Sequence, residues 1–193
     1  WLTTQSYADN SLTYPQMTER AKTDKLRIAC GYATLWTKTL LDAIGIPSRM
    51  VNGITMEAWN YVNDGHAMLE TFLGGKWVLF DFSFNTRFWK NGAPLNLIEV
   101  IENMPNYEIE QMTIDTSYDV TGLYYQGHSL ASVFEPMLSS SLLYDVYARL
   151  LQIPLVNDNG IVYYFKTSPY DAQLQAWGYR KISQTEYINR FYT

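Results

Sequence analysis

The 193-residue chain holds one cysteine and two histidines, so any chemistry that uses a thiol or an imidazole rests on few positions. Cys30 opens a stretch whose apolar residues recur with helical spacing. A thiol at the first turn of a helix meets unpaired backbone N–H groups and the positive end of the helix dipole. Both favour the thiolate, which is the nucleophilic form. The plainer role for a free cysteine is that of a small buried hydrophobe. His66 and Asp81 fall on two strand-like runs separated by Gly74-Gly75, a two-residue hairpin signal. With that turn Leu73 pairs with Lys76, Met68 falls opposite Asp81 and His66 opposite Ser83. Opposed residues share a face, as do residues two apart on one strand. His66 and Asp81 are then diagonal neighbours on one face, about 7–8 Å apart in the backbone and within side-chain reach. The three residues together form a candidate catalytic triad. Cys30 attacks a carbonyl, His66 takes and later returns a proton, and Asp81 fixes the imidazole tautomer. The competing reading of His66 and Asp81 is a hydrogen-bonded structural pair at a sheet edge.

Such chemistry also needs an oxyanion hole. The backbone N–H of Cys30 supplies one donor by position, and the second is expected upstream, from Trp1, Gln5, Tyr14 or Gln16. Among other polar candidates, His128 in Gln126-Gly-His-Ser129 reads as a solvated loop histidine. Arg49 can bind a carboxylate in bidentate fashion. Glu70 shares the His66 face and reads as a structural partner for Arg49 or Lys76. The sequence has no phosphate-binding Gly-rich loop ending in Lys-Ser/Thr, no His-Glu-x-x-His and no Gly-x-Ser-x-Gly elbow.

The elements that must position these residues follow from periodicity and breakers. Cys30 to Ile44 reads as a helix through Ala33, Trp36, Leu40 and Ile44, stopped by Gly45 and Pro47. Arg49 to Ile54 reads as a strand, and Thr55 to Gly65 as a loop. His66 to Leu73 and Lys76 to Ser83 form the hairpin. Its other face carries Ala67, Leu69, Val78, Phe80 and Phe82, an apolar set expected to meet the core. A short helix is expected over Leu95–Glu102 and a strand within Tyr107–Thr113. A further helix is expected over Ser140–Leu151, ended by Pro154, and a hairpin around Asn157–Gly160. A capping box at Ser183–Glu186 opens a terminal helix. Residues 1–24 read as a loop or short helical lead-in. The expected division is a core over 1–115 and a C-terminal α+β extension over 116–193, either packed on it or part of the same domain, since no linker-like stretch divides them.

Composition narrows the partners. Apolar residues make up 47% and charged residues 17%, which excludes an intrinsically disordered chain. A net charge of −5 argues against nucleic acid as partner. No apolar run approaches the ~18 residues of a membrane span. One cysteine excludes an internal disulfide framework, and with two histidines excludes the common Cys/His zinc sites. A chain that starts at Trp1 without a basic, apolar leader reads as a processed or excised form. The 16 Tyr, 8 Phe and 6 Trp are spread along the chain, as in a core and rim of large residues. An aromatic groove for peptide or glycan is the sharper alternative.

Four stretches carry a resemblance. They are Cys30-Gly-Tyr-Ala33, Leu41-Asp-Ala-Ile-Gly-Ile-Pro-Ser-Arg-Met-Val-Asn-Gly53, Gly65-His-Ala-Met-Leu-Glu70 and Gly75-Lys-Trp-Val-Leu-Phe-Asp81. Their order and spacing over roughly residues 24 to 85 resemble the core of the transglutaminase-like superfamily. The family positions they match are Cys30, His66 and Asp81. Ile28, Met68 and Phe82 stand where the family often has Gly, Trp and Pro; none of these departures removes a catalytic group. The resemblance implies an α+β fold with a papain-like core, the Cys helix packed on an antiparallel sheet, and acyl transfer through a thioester. It leaves open transamidation, deamidation, proteolysis and loss of activity. The expected enzyme is a cysteine acyltransferase or hydrolase acting on a protein or peptide substrate, with no metal or organic cofactor implied. The alternative is a non-catalytic module of the same fold that binds peptide or glycan through an aromatic surface.

Overall fold

The computed structural model describes residues 3–5, 8–24, 26–55, 65–111, 124–125, 128–129 and 140–193. The fold is mixed α+β, built around one large sheet. The chain opens with β1 (Thr3–Gln5), α1 (Tyr14–Arg20) and β2 (Leu26–Ile28), and β1 and β2 form a small parallel pair. Helix α2 (Cys30–Ala43) follows, then β3 (Ser48–Ile54), β4 (Gly65–Leu73), β5 (Lys76–Asp81), β6 (Thr86–Lys90) and β7 (Ala93–Pro94). Next come α3 (Leu97–Glu102), β8 (Glu108–Gln111), β9 (Tyr124–Tyr125) and β10 (His128–Ser129). The C-terminal part adds α4 (Ser140–Leu150), β11 (Ile153–Asp158), β12 (Ile161–Tyr164), α5 (Asp171–Ala176), β13 (Arg180–Lys181) and α6 (Gln184–Phe191).

The sheet has nine strands in the order β13-β12-β11-β3-β4-β5-β6-β7, with β8 also on β6. Every pairing in it is antiparallel except β12 with β13. The expected hairpin register holds. Leu73 pairs with Lys76 and the ladder runs back to Leu69 opposite Phe80, while Gly74 and Gly75 take positive φ as a tight turn requires. Asp81 ends the strand two residues before the expected Ser83. Its Oδ1 accepts the backbone N–H groups of Ser83 (2.9 Å) and Phe84 (3.2 Å), and this side-chain bond draws the chain into a turn instead of a ladder.

The core differs from expectation in which face it covers. Ala67, Leu69 and Val78 are buried, as expected of their face, whereas Phe80 and Phe82 are half-buried and lie against each other, ring centroids 5.9 Å apart. The largest apolar cluster, however, takes Val51, Met68 and Leu79 from the His66 side of the sheet. It packs them against Leu97 of α3, Leu143, Tyr147 and Leu150 of α4, and Tyr187 and Phe191 of α6. The reason lies in the C-terminal helices, whose apolar stripes need a sheet face to cover. Gly53 of β3 permits the closest approach: a Cβ there would collide with the Leu150 carbonyl oxygen and the Leu151 side chain.

Helix α2 runs along β3 and β4. Its own buried residues Ala33 and Trp36 join Met17, Leu26 and Ile28 in a second cluster, so the N-terminal elements cover its outer side. The helix ends as its residues dictate, with Gly45 at φ 74° and the Ile46 N–H bonded to the Leu41 carbonyl. Among the described residues of the first 24, a helical lead-in is present as α1, capped by Thr13 and Gln16, but Thr3–Gln5 form an unexpected strand, held by its pairing with β2.

Candidate active site

Cys30 is the first residue of α2. The N-cap, Ala29, has no side chain able to bond the first turn, and its own N–H is taken by Asn10 Oδ1 at 3.0 Å. The first-turn N–H groups therefore have no side-chain cap and remain able to stabilise a thiolate or a developing oxyanion. The thiol is partly exposed.

His66 stands at the start of β4 and Asp81 at the end of β5, on the same face of the sheet. His66 Nε2 donates to Asp81 Oδ2 at 2.7 Å, and both residues are buried. The His66 ring lies flat on Phe84, with ring centroids 4.8 Å apart and planes 12° from parallel. With Nε2 committed to Asp81, Nδ1 is the ring nitrogen left for the thiol. Asp81 accepts four hydrogen bonds: the Ser83 and Phe84 N–H groups on Oδ1, and His66 and the Tyr147 hydroxyl (2.8 Å) on Oδ2. These bonds give a buried carboxyl the partners that burial demands.

The pKa shifts follow from this geometry. Burial pushes the Cys30 thiol up. The hydrogen bond and charge of His66, with the Ala67 N–H, pull it down further against the opposing charge of Asp81, and it settles below the ordinary 9.0. Burial alone lowers His66, but the charge and hydrogen bond of Asp81, then those of Cys30, dominate and His66 is pushed up to about 10. The two shifts are opposed, and both favour passing the proton from the thiol to the imidazole. Tyr147 is raised well above 10.0, by burial first and then by the Asp81 charge, so it remains a hydroxyl donor.

The structure thus brings Cys30, His66 and Asp81 together in one series. Of the upstream oxyanion candidates, Gln16 is exposed and its carboxamide oxygen accepts the Thr13 N–H in the α1 cap; Tyr14 packs against the Met17–Trp36 cluster. Gln5 lies in β1 opposite Ile28, two residues before Cys30. Trp1 lies outside the described residues, as do the side chain of His128 and the loop positions 56–64. Arg49 and Glu70 are structural partners as expected: Arg49 Nε and Nη2 both reach Glu70 Oε2, at 2.9 and 2.7 Å, while Lys76 pairs with Glu99. Sequence reasoning missed Tyr147. Its place in the stripe Leu143, Tyr147, Leu150, Leu151 marks it as buried, but nothing in the sequence joins it to Asp81.

A cavity of ≈ 960 Å³ lies toward the opposite end of β4 and β5, lined by Arg49, Phe72, Trp77 and Tyr192 among others; Cys30, His66 and Asp81 do not line it. Among the described residues there is no cluster of three or more His, Cys, Asp or Glu that could hold a metal ion, and no helix long and apolar enough to cross a membrane.

The fold is α+β, and it sets a helix-terminal thiol beside an imidazole–carboxylate pair. Residues 6–82 match the family model described as the transglutaminase-like superfamily. The match takes in Cys30, His66 and Asp81 and stops before α4. Neither the curated proteins nor the solved structures contain a match to the chain.

Proposed function

We propose that the protein is a cysteine-dependent acyl-transfer enzyme acting on an amide or peptide carbonyl, with Cys30, His66 and Asp81 as its catalytic groups. The observation that carries this reading is the series of a helix-terminal thiol, an imidazole bonded to a carboxylate, and opposed pKa shifts that favour a thiolate–imidazolium pair. The Cys30 thiolate attacks the carbonyl carbon and forms a C–S bond, and the oxyanion faces the first N–H groups of α2. The C–N bond breaks as His66 gives its proton to the leaving amine, which leaves a thioester on Cys30 and a neutral imidazole. Water or an amine then adds to the thioester. His66 takes the proton from this acceptor, the C–S bond breaks, and the thiolate–imidazolium pair returns. Asp81 transfers no proton; it holds the imidazole and stabilises its charge. The position of α2 along β3 and β4 supports a papain-like core. The 116–193 extension belongs to the working unit, because it supplies a donor to Asp81 and a strand beside β3.

The test is turnover of glutamine-bearing and other peptides, with and without a primary amine, following ammonia release, cleavage and amine incorporation. Cys30→Ala and His66→Ala should each lose activity by about 10³-fold or more, and Asp81→Asn by less. Wild-type turnover by Cys30→Ala rejects the mechanism. The cavity remote from Cys30, with Phe72, Trp77 and Tyr192 on its wall, favours a second reading: a non-catalytic module that binds peptide or glycan there. Binding that is unchanged in Cys30→Ala, with no substrate turned over, supports that module.

A further inference from the structure

Tyr147 stands outside the segment that matches the transglutaminase-like family, yet it touches the imidazole–carboxylate pair. It is fully buried on α4, edge-on to Phe84 and Phe88 at centroid distances of 6.1 and 4.8 Å. Phe84 is the ring on which His66 stacks. The hydroxyl of Tyr147 donates to Asp81 Oδ2, the same oxygen that accepts from His66, and its own oxygen is bonded by Thr86 Oγ1 on β6. Because the Tyr147 proton points to Asp81, Thr86 is the donor in that second bond. A one-way chain results, from Thr86 to Tyr147 to Asp81.

The orientation of Asp81 does not need this chain. Oδ1 is already fixed by the Ser83 and Phe84 N–H groups. What the chain changes is the charge that Oδ2 offers to His66. A donor on a carboxylate oxygen stabilises its negative charge and weakens its hold on any other proton at that oxygen. Too strong a hold is costly here, because a general acid works less well as its pKa rises above the operating pH.

We propose that Tyr147, supported by Thr86, is a positioning residue that limits how strongly Asp81 retains the His66 proton and so keeps that proton deliverable to the leaving group. This inference rests on the acyl-transfer reading for its catalytic consequence, though not for its electrostatic one. Among the described residues, the titratable groups that face His66 are Asp81 from β5 and Cys30 from α2. Those that face Tyr147 are Asp81 and, more weakly, Tyr107.

The experiment follows the His66 ring proton by NMR as pH is raised, in a Cys30→Ala, His128→Gln background. That background leaves one imidazole and removes the contribution of the thiol to its proton affinity. Adding Tyr147→Phe, which keeps the ring packing, should move the His66 midpoint up by roughly half to one unit. Thr86→Val should move it up by a smaller amount, and Thr86→Ser should leave it in place. A midpoint that stays or falls in both Tyr147→Phe and Thr86→Val overturns the proposal. Should Tyr147→Phe fail to fold, the Thr86→Val and Thr86→Ser pair decides alone. With Cys30 and His128 intact, Tyr147→Phe should lower kcat roughly 3- to 10-fold at unchanged KM, whereas a loss confined to KM counts against the role. Failure of the acyl-transfer reading appears separately, as turnover that survives Cys30→Ala, and leaves the titration able to judge Tyr147.

Discussion

A thiol in water keeps its proton until about pH 9, and an imidazole loses its own near 6.5; Cys30 and His66 reverse that order. The reversal has a kinetic and a thermodynamic signature. Iodoacetamide should alkylate Cys30 rapidly at about pH 6–7, and His66→Ala should slow it markedly by removing the charge that holds the thiolate. Alkylation that begins only above about pH 8 contradicts the ion pair. The thermodynamic signature is a cancellation. From the lowered Cys30 value up to 9.0 the unfolded chain carries the proton on the thiol and the folded chain carries it on the imidazole. The pair then exchanges no net proton on folding, and stability from it is flat across that window. Cys30→Ala leaves a lone His66 raised by Asp81. Its contribution is fully present below the unfolded value of 6.5 and is lost as pH rises through the folded value. The thermal midpoint of Cys30→Ala should therefore fall across that window more steeply than that of the wild type. Parallel pH profiles for the two proteins would show that no proton moves between these groups.

At the level of elements, the site depends on two close fits: the β4–β5 register and the approach of α4 to β3. The second is the more fragile, because Gly53 faces the Leu150 carbonyl with no room for a Cβ. Gly53→Ala should destabilise by roughly 1–3 kcal/mol or more, since backbone and not a flexible side chain must move. It should also disturb Asp81 through Tyr147, so a lower melting temperature should accompany slower Cys30 alkylation at neutral pH. The first fit was legible in the sequence because it is local: Gly74-Gly75 fixes the register, and alternation then assigns faces. Cys30 at a helix start was legible for the same reason, from the Ala33–Leu40 periodicity and the Gly45-Ile46-Pro47 stop. Contacts across the chain were not. Which face the larger core covers depends on where α4 and α6 dock, and the link from Tyr147 to Asp81 spans 66 positions. Pro154 illustrates the same limit. It reads as a helix breaker, yet it lies inside β11, where β12 pairs only from Val156 onward and asks for no N–H at that position.

For the whole molecule, the question is whether the first 115 residues stand alone. The sheet argues that they do not. β11 lies between β3 and β12, so the strand that follows α2 is internal only because the C-terminal part completes it. The apolar face formed by Val51, Met68 and Leu79 is covered by residues of α4 and α6. A second polar hub repeats the dependence at the other end of the strands. Glu70 is fully buried, with Arg49, the Leu97 N–H and the Tyr192 hydroxyl (3.1 Å) as partners, and the Arg49 guanidinium stacks over Trp77 and Tyr192 at 4.1 and 4.6 Å. Ending the chain at residue 115 would take a donor from two buried carboxylates, Asp81 and Glu70, expose the β3 edge and uncover the larger core. A protein of residues 1–115 should therefore show no cooperative thermal transition, bind a hydrophobic dye and lose the rapid alkylation of Cys30 at neutral pH. A sharp two-state melt with Cys30 reactivity retained would establish the matched segment as an independent domain, and would reduce α4, β11 and α6 to an appendage.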